Sequence, residues 1–456
     1  MLPVFFGVNM KTIAAISTPQ APGGIAMIRM SGTDSIRIAE QAFVSANGAK
    51  VTEMRGYTCA YGYAVDGDER IDDVVLTVFR APHSYTGEDT VEITCHGGIY
   101  LTNLILHILL RLGAEPASPG EFTKRAFLNG KLSLSQAEAV MDVIEADGRT
   151  ALRQANLVKA GRLSQQMRAV SDSLTNILSA LAYWLDDAEE FPPELEHARL
   201  SSQIREIRDK LHSMTEHYQD GRILRAGIRT VLLGLPNAGK SSIMNRLCGM
   251  NRSIVTDIAG TTRDVVTEHV KIGDFTLILS DTAGIRETDN QIETIGIEQA
   301  MNELACADLV LYVIDASAGL SSDDMKMLEK CADRRLLVLW NKTDLHASAP
   351  PAMDYPVICC SALSENPFSD LPIALRNLFP QSQAGQPVVM NERQFSLLSD
   401  ASAHVEHALS ELDAGSELDM LSLDLEIAAR RLSEIDGKDI TQATIDGVFS
   451  RFCVGK

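Results

Sequence analysis

The sequence predicts three regions: an α+β unit at the amino end, an all-helical unit split into two pieces, and an α/β unit inserted between those pieces. Three observations carry this reading. Short β-branched and apolar runs bounded by turn residues fill residues 1–130. Helical periodicity takes over from Ser135 and returns near the carboxyl end. Between the helical stretches, from about Gly227, strands alternate with helices, which implies a mainly parallel sheet covered on both faces.

Size and composition permit this. A chain of 456 residues has room for roughly three domains at ~150 residues each. A hydrophobic content of 45% supplies more than one core, and a mean hydropathy of +0.00 with no long apolar run argues for a protein outside the membrane. The net charge of −20 argues against broad, non-specific nucleic-acid binding, though a nucleic acid can still be held through a second protein. Cysteines at 59, 95, 248, 306, 331, 359, 360 and 453 form no C-x-x-C pair, which reads as reduced cytoplasmic thiols rather than a disulfide frame or zinc site. The opening "MLPVFFGVNMK" has no basic residue before its apolar run and no A-x-A site. It reads as a short extension, or as a start ahead of a true initiator at Met10, and not as a secretion signal.

The elements follow in order. In 1–130, "GGIAMIRM", "DDVVLTVF" and "TVEITCHGG" read as strands and "IYLTNLILHILLRLGA" as a helix. In 131–226, "SQAE" reads as a capping box opening a helix with Ala137, Val140, Met141 and Ile144 on its apolar face. Met167, Val170, Leu174, Ile177, Leu178, Leu181 and Leu185 mark a later helix, and "DDAEEFPPELE" separates it from another over about 195–220. In 227–381, "GIRTVLLG", "FTLILSDTAG", "ADLVLYVIDAS", "RRLLVLWNKTD" and "YPVICCSA" are strand-plus-loop units, ending in the linker-like "QSQAGQP". In 382–456 helical spacing resumes with Leu398, Val405, Leu409 and Leu412, then Leu418, Leu421, Leu425, Leu432 and Ile435.

The chemistry concentrates in the inserted unit. "GLPNAGKS", 234–241, fits the phosphate-loop pattern and follows an apolar strand. Gly234, Asn237, Ala238, Gly239 and Ser242 bring backbone to the phosphates, Lys240 adds a point charge, and the Ser241 hydroxyl suits magnesium. "DTAG" (Asp281, Thr282, Ala283, Gly284) follows another strand, where Asp281 can hold magnesium and the Gly284 amide can sense the terminal phosphate. In "NKTD", Asn341, Lys342 and Asp344 follow a third strand. A carboxylate at Asp344 accepts from guanine's ring N–H and amino group, a pair that adenine lacks. Ser361 and Ala362 of "SAL" offer a backbone amide to the guanine carbonyl. "DIAGTTRD", 257–264, reads as a switch, with Thr261 and Thr262 supplying hydroxyls and Thr262 sensing magnesium. Four elements in this order, each at a strand end, specify a guanine-nucleotide domain.

One position is unusual. Ile285 stands after "DTAG" where many such proteins place a water-orienting glutamine. A carboxylate of the following segment, Glu287, Glu293 or Glu298, can take that task. The positive charge can come from Arg263, Arg286, a residue in trans, or a monovalent cation bound near Asn237. Spacing leaves these alternatives open.

The segments "YTGEDTVEITCHGG", "PGEFTKRAFLNGKLSLSQAEAV", "GLPNAGKS", "IVTDIAGTTRD", "DTAGIRET", "IETIGIE" and the terminal "FCVGK" make the chain resemble the MnmE (TrmE) family of tRNA-modification GTPases over nearly its whole length. The resemblance implies a G domain that dimerises across its nucleotide face and uses potassium where other GTPases use an arginine finger. Asn237, Thr256, Ile258 (through its carbonyl) and Thr261 would then ligate potassium, and Glu293 would position the water. It also implies an amino-terminal domain like that of folate-binding one-carbon enzymes, forming a homodimer. Arg29, Glu92, Lys131 and Lys456 would contact a 5-formyl- or 5,10-methylene-tetrahydrofolate. Cys453 matches a cysteine the family requires, although a lone cysteine in an apolar tail otherwise reads as a buried small hydrophobe. The implied reaction is modification of the tRNA wobble uridine at its fifth carbon, to an aminomethyl or carboxymethylaminomethyl type. It would proceed with the FAD-dependent subunit MnmG (GidA), in a heterotetramer or larger assembly. The competing reading is a regulatory GTPase switch acting on translation or ribosome assembly, which would need neither the folate-like domain nor "FCVGK".

Overall fold

The computed structural model describes residues 11–186, 193–216, 218–250, 267–280, 304–345, 348–379, 389 and 391–456. The chain forms two compact units. Met1–Met141, Val158–Leu211 and Leu397–Lys456 make up the first, and Asp142–Leu157 with His212–Ser396 the second. Among the described residues no helix is long and apolar enough to cross a membrane.

The first unit contains a seven-stranded mixed sheet. Its strands are β1 (Ile13–Ile16), β2 (Gly23–Ser31), β3 (Phe43–Ser45), β4 (Thr58–Asp66), β5 (Glu69–Phe79), β6 (Thr90–Gly97) and β7 (Glu115–Pro116), in the order β3-β4-β5-β6-β2-β1-β7. Period-two alternation sorts its faces. Ala14, Ile16, Ile28, Met30, Leu76, Val78, Val91 and Ile93 pack with Ile36 and Ile38 of helix Ser35–Ala42 and with Ile105 and Leu109 of helix Ile99–Arg111. Arg29 and Glu92 point to the opposite face, and the register of β2 on β6 sets them directly across from each other. Ile13 and Ala15 of β1 share that opposite face, where they meet Phe122, Ala117 and Tyr85.

The helical part of this unit packs Arg162–Asp186 along Leu418–Asp436. Met167, Val170, Leu174, Ile177 and Leu181 are buried, as are Leu421, Leu425, Leu432 and Ile435. Two expectations fail at element ends. Ile144 and Leu185, placed on apolar faces by periodicity, are exposed at 47% and 49%, each in the last turn of its helix. The capping box also lies two residues earlier than "SQAE". The Ser133 hydroxyl accepts from the Gln136 amide (3.3 Å) while Gln136 Oε1 accepts from the Ser133 amide (2.9 Å), and the helix runs Leu134–Glu145. Ser135 is instead buried, donating to Asp436 (2.8 Å) beside Ser164, which donates to the same carboxylate oxygen (2.7 Å).

The second unit is built on a six-stranded sheet. Its strands are β8 (Ile228–Leu233), β9 (Thr267–Ile272), β10 (Phe275–Ser280), β11 (Leu309–Asp315), β12 (Arg335–Asn341) and β13 (Val357–Cys359), ordered β13-β12-β11-β8-β10-β9. All neighbours are parallel except β9, an edge strand that pairs antiparallel with β10 and that the sequence reading did not single out. Its second half, "HVKI", alternates polar with apolar residues, with Val270 and Ile272 buried, as an edge strand with one wet face does. The central strands are apolar on both faces. In β11, Leu309, Leu311 and Val313 join one core while Val310, Tyr312 and Ile314 join the other.

Candidate functional site

The parallel strands β8, β11, β12 and β13 deliver their carboxyl ends to one edge, where ligands of α/β sheets bind. β8 leads into the loop 234–239, and helix Lys240–Met250 starts directly behind it, presenting amides and a positive dipole end. Asn237 adopts φ 64°, a left-handed conformation that an asparagine tolerates, and is exposed. Gly239 is required: a Cβ there would lie 2.3 Å from Asn341 Nδ2. The Lys240 ammonium donates to the carbonyls of Gly234 (2.8 Å) and Leu235 (2.9 Å), so it sits within the loop that would hold phosphates. Burial pushes its pKa down. Ser241 and Ser242 are exposed in the first turn.

The base-side residues tie into this loop. Asn341 is 1% exposed, donates to the Ala238 carbonyl (2.9 Å), and accepts from the Ala362 amide (3.3 Å). It therefore acts as a strut joining the phosphate loop to the "SAL" loop. Lys342, also left-handed at φ 66°, donates to the Asn237 carbonyl (2.8 Å) and to Asp315 (2.6 Å). Asp315, at the end of β11, was missed by sequence reading. Its only signal was an aspartate closing the run "LVLYVID". Burial opposes its ionisation, but Lys342 and Ser317 outweigh that and hold its carboxyl below the ordinary range. Asp344 is exposed with its carboxylate available to a ligand, and Ser361 is buried, its hydroxyl accepting from the Leu363 amide (3.2 Å). Thr256, Ile258, Thr261, Thr262, Asp281, Thr282, Ala283, Gly284 and Glu293 lie outside the described residues.

In the first unit the structure gathers Arg29, Glu92 and Lys456. Arg29 donates to Glu92 Oε1 through Nε (2.8 Å), and its Nη2 lies 2.7 Å from the same oxygen. Nη1 approaches the Gly455 carbonyl (3.5 Å), and the guanidinium lies 5.9 Å from the Tyr85 ring and 5.7 Å from the Phe122 ring. The terminal segment is laced to this face. Ser17 donates to the Gly455 carbonyl (3.1 Å), and the amides of Gly120 and Phe122 donate to the carbonyls of Cys453 (3.3 Å) and Lys456 (3.1 Å). Burial, then Arg29 and Lys159, push the Lys456 pKa down, against Glu92 and Cys453. Lys131 is not part of that group. It is exposed and donates to the Pro82 carbonyl (3.0 Å). Cys453 is exposed, unlike the buried small hydrophobe that a lone cysteine in an apolar tail usually is, and Phe452 fills the core beside it. A cavity of about 540 Å³ opens between helices Glu121–Leu128 and Gln442–Phe449, spanned by the Lys124–Asp446 ion pair (2.7 Å), but none of the four predicted folate contacts lines it.

Comparison with known proteins decides the family. The description "GTP-binding protein TrmE N-terminus" matches residues 12–131 and "MnmE helical domain" matches 134–453. The chain belongs to the MnmE family of tRNA modification GTPases. The tRNA modification GTPase MnmE of Bacillus subtilis is 39% identical over 459 residues, covering 98% of this chain and 100% of that one. Its namesakes from Moorella thermoacetica and Clostridioides difficile are each 38% identical, covering 98% of this chain and 99% of theirs. With an α+β amino-terminal region, paired helical segments and a phosphate-loop α/β sheet, the chain has the multidomain fold class expected of MnmE proteins.

Proposed function

We propose that this chain is a potassium-activated GTP hydrolase that, with an FAD-dependent partner of the MnmG type, modifies the wobble uridine of tRNA using a folate one-carbon unit. The observation that carries the GTPase part is the Asn341 strut, which brings the phosphate loop, the exposed carboxylate of Asp344 and the Ala362 amide to one sheet edge. Asp344 would accept two hydrogen bonds from guanine, the Lys342 stem would lie along the base, and Lys240 would transfer from loop carbonyls to phosphate oxygens, which are stronger acceptors.

The residues suit the groups the family implies. The exposed hydroxyl of Ser241, with Thr262 and Asp281, is a hard-oxygen set fitting magnesium. Asn237, held left-handed with its side chain exposed, offers a neutral oxygen, and the carbonyl of Ile258 and hydroxyls of Thr256 and Thr261 would complete a neutral set fitting potassium. When bound, the two cations supply positive charge where negative charge builds on the phosphate oxygens. Glu293 would orient the attacking water in place of the glutamine absent at Ile285. In the amino-terminal unit, Glu92 Oε2 has no protein partner among the described residues, so it can accept from a pterin donor edge. Lys456 would meet a carboxylate of the folate tail, with Cys453 at the exposed edge of the same site; Lys131, which stands apart from that group, would be met only by the far end of the tail. Homodimerisation through this unit, tRNA held largely by the partner, and a cytoplasmic location complete the proposal. The chain's −20 charge accords with indirect tRNA binding.

The test of the nucleotide site is Asp344→Asn with fluorescent guanine and xanthine nucleotides. Guanine nucleotide affinity should fall by about 100-fold or more, as expected for an unpaired base donor pair, while xanthine nucleotide affinity should rise. Unchanged guanine affinity would remove Asp344 from the site. Loss of tRNA modification in Glu92→Ala with intact GTP hydrolysis would separate the modification enzyme from a pure regulatory switch.

A further inference from the structure

Two contacts, one at the end of helix Leu134–Glu145 and one just after it, fasten this stretch to the second unit's sheet and to the helix that leads into it. Asp142, 7% exposed, lies 2.7 Å from Arg225 Nε, and Arg225 is on the helix Tyr218–Ala226 that runs into β8 and so into the phosphate loop. Five residues on, Asp147 grips the β9–β10 hairpin. Its Oδ1 meets the Lys271 ammonium at 2.8 Å, its Oδ2 accepts from the Thr276 hydroxyl at 2.6 Å, and its carbonyl also accepts from Lys271. Gly148 lies against the hairpin turn, where a Cβ would approach the Asp274 carbonyl to 3.3 Å.

The position of this grip matters. β9 begins two residues after "DIAGTTRD" in sequence, and β10 ends directly before "DTAG". The register pairs Ser280 with Thr267 at one end and Phe275 with Ile272 at the other. Leu277 of β10 lies beside Ile228, the first residue of β8, so the turn is at the sheet end opposite the phosphate loop. Each arm has six residues, about 20 Å of strand at ~3.4 Å per residue. The hairpin links the two motifs through one ladder, so a shift of its two strands together against β8 is carried to the turn, whose side Asp147 holds.

We propose that Asp147 is a positioning residue that couples the nucleotide state to the helical segment Asp142–Leu157 through the β9–β10 hairpin. The proposal rests on the nucleotide site above and adds the route by which that site is read elsewhere in the chain. Both partners are partly exposed, which suits a contact that must be made and released, since such pairs bias an equilibrium without locking it.

The test is hydrogen–deuterium exchange of the full chain with GDP and with a non-hydrolysable GTP analogue, alongside binding of a fluorescent GDP. In wild type, amides of 142–157 should exchange differently in the two states, by about two- to tenfold, the range set by one charge-assisted contact. Asp147→Ala should flatten that difference while leaving the affinity for fluorescent GDP within about twofold, and Asp147→Glu should restore part of it. Thr276→Val, which keeps the shape of the side chain, should weaken it. A nucleotide-dependent difference that persists in Asp147→Ala overturns the proposal, as does a wild type that binds nucleotide yet shows no change in 142–157. A wild type that binds no guanine nucleotide overturns the nucleotide site itself.

Discussion

Gly455 holds φ at 92°, and a Cβ on it would lie 2.5 Å from the Ile16 carbonyl and 2.9 Å from Ser17 Cα. Neither atom can move without disturbing β1 or the chain just beyond it. Gly455→Ala should therefore detach the terminal segment, at a cost of about 1–3 kcal/mol for the local structure. Limited proteolysis will read this as faster removal of the carboxyl end, with Val454→Ala, an exposed neighbour, unaffected. At this scale the sequence shows pairs that follow a repeat. Ile28 and Met30 face the core, so Arg29 faces away, and the same logic applied to Val91 and Ile93 turns Glu92 to that face. It does not show pairs made by strand ends meeting in space. Asp315 and Lys342 lie on neighbouring strands, and only the register of β11 on β12 brings their loops together.

Helices Glu392–Ala414 and Leu418–Asp436 are joined by one carboxylate between two imidazoles. Asp424 meets His404 Nδ1 at 2.7 Å and His407 Nδ1 at 2.6 Å, with Asp400, Glu411 and Arg431 nearby on the two helices. The hydrogen bond and charge of Asp424 raise the His407 pKa above its ordinary value of 6.5. For Asp424, burial opposes ionisation, but the two histidines prevail and lower its pKa below 3.8. The signs define a window. The His407 contribution is complete below 6.5 and is lost as pH rises through its higher folded value. The Asp424 contribution is present above 3.8 and is lost as pH falls through its lower folded value. Amide protection of this helix pair should therefore peak in mildly acidic solution and decline as pH rises through the raised His407 value, and Asp424→Asn should flatten the profile. A profile unchanged by that substitution would show that the clasp carries no weight. Helix periodicity located both helices in the sequence, but a clasp depends on their relative rotation, which a stripe of leucines sets only to within a turn. The shift of the capping box to Ser133 has a similar cause. Ser133 and Ser135 are equally good caps by composition, and only the buried Asp436 explains why Ser135 is used elsewhere.

Across the whole molecule, the parts legible from sequence are those whose chemistry is local: a phosphate loop behind a strand, an N-K-x-D run at the end of another, and apolar repeats at 3.6 or 2 residues. The Asn341 strut, the lacing of "FCVGK" onto β1 and the grip of Asp147 on the β9–β10 hairpin join residues more than 100 apart, so no local pattern could announce them. How GTP is cleaved turns on what replaces the glutamine missing at Ile285. The decisive measurement is GTP hydrolysis by the purified protein in matched KCl and NaCl, for wild type, Asn237→Ala and Glu293→Ala. A cation standing where an arginine finger would act predicts hydrolysis at least ~10-fold faster in KCl, a gain that Asn237→Ala loses, and little turnover by Glu293→Ala in either salt. Equal rates in the two salts would contradict it and return the charge to Arg263, Arg286 or a protein activator.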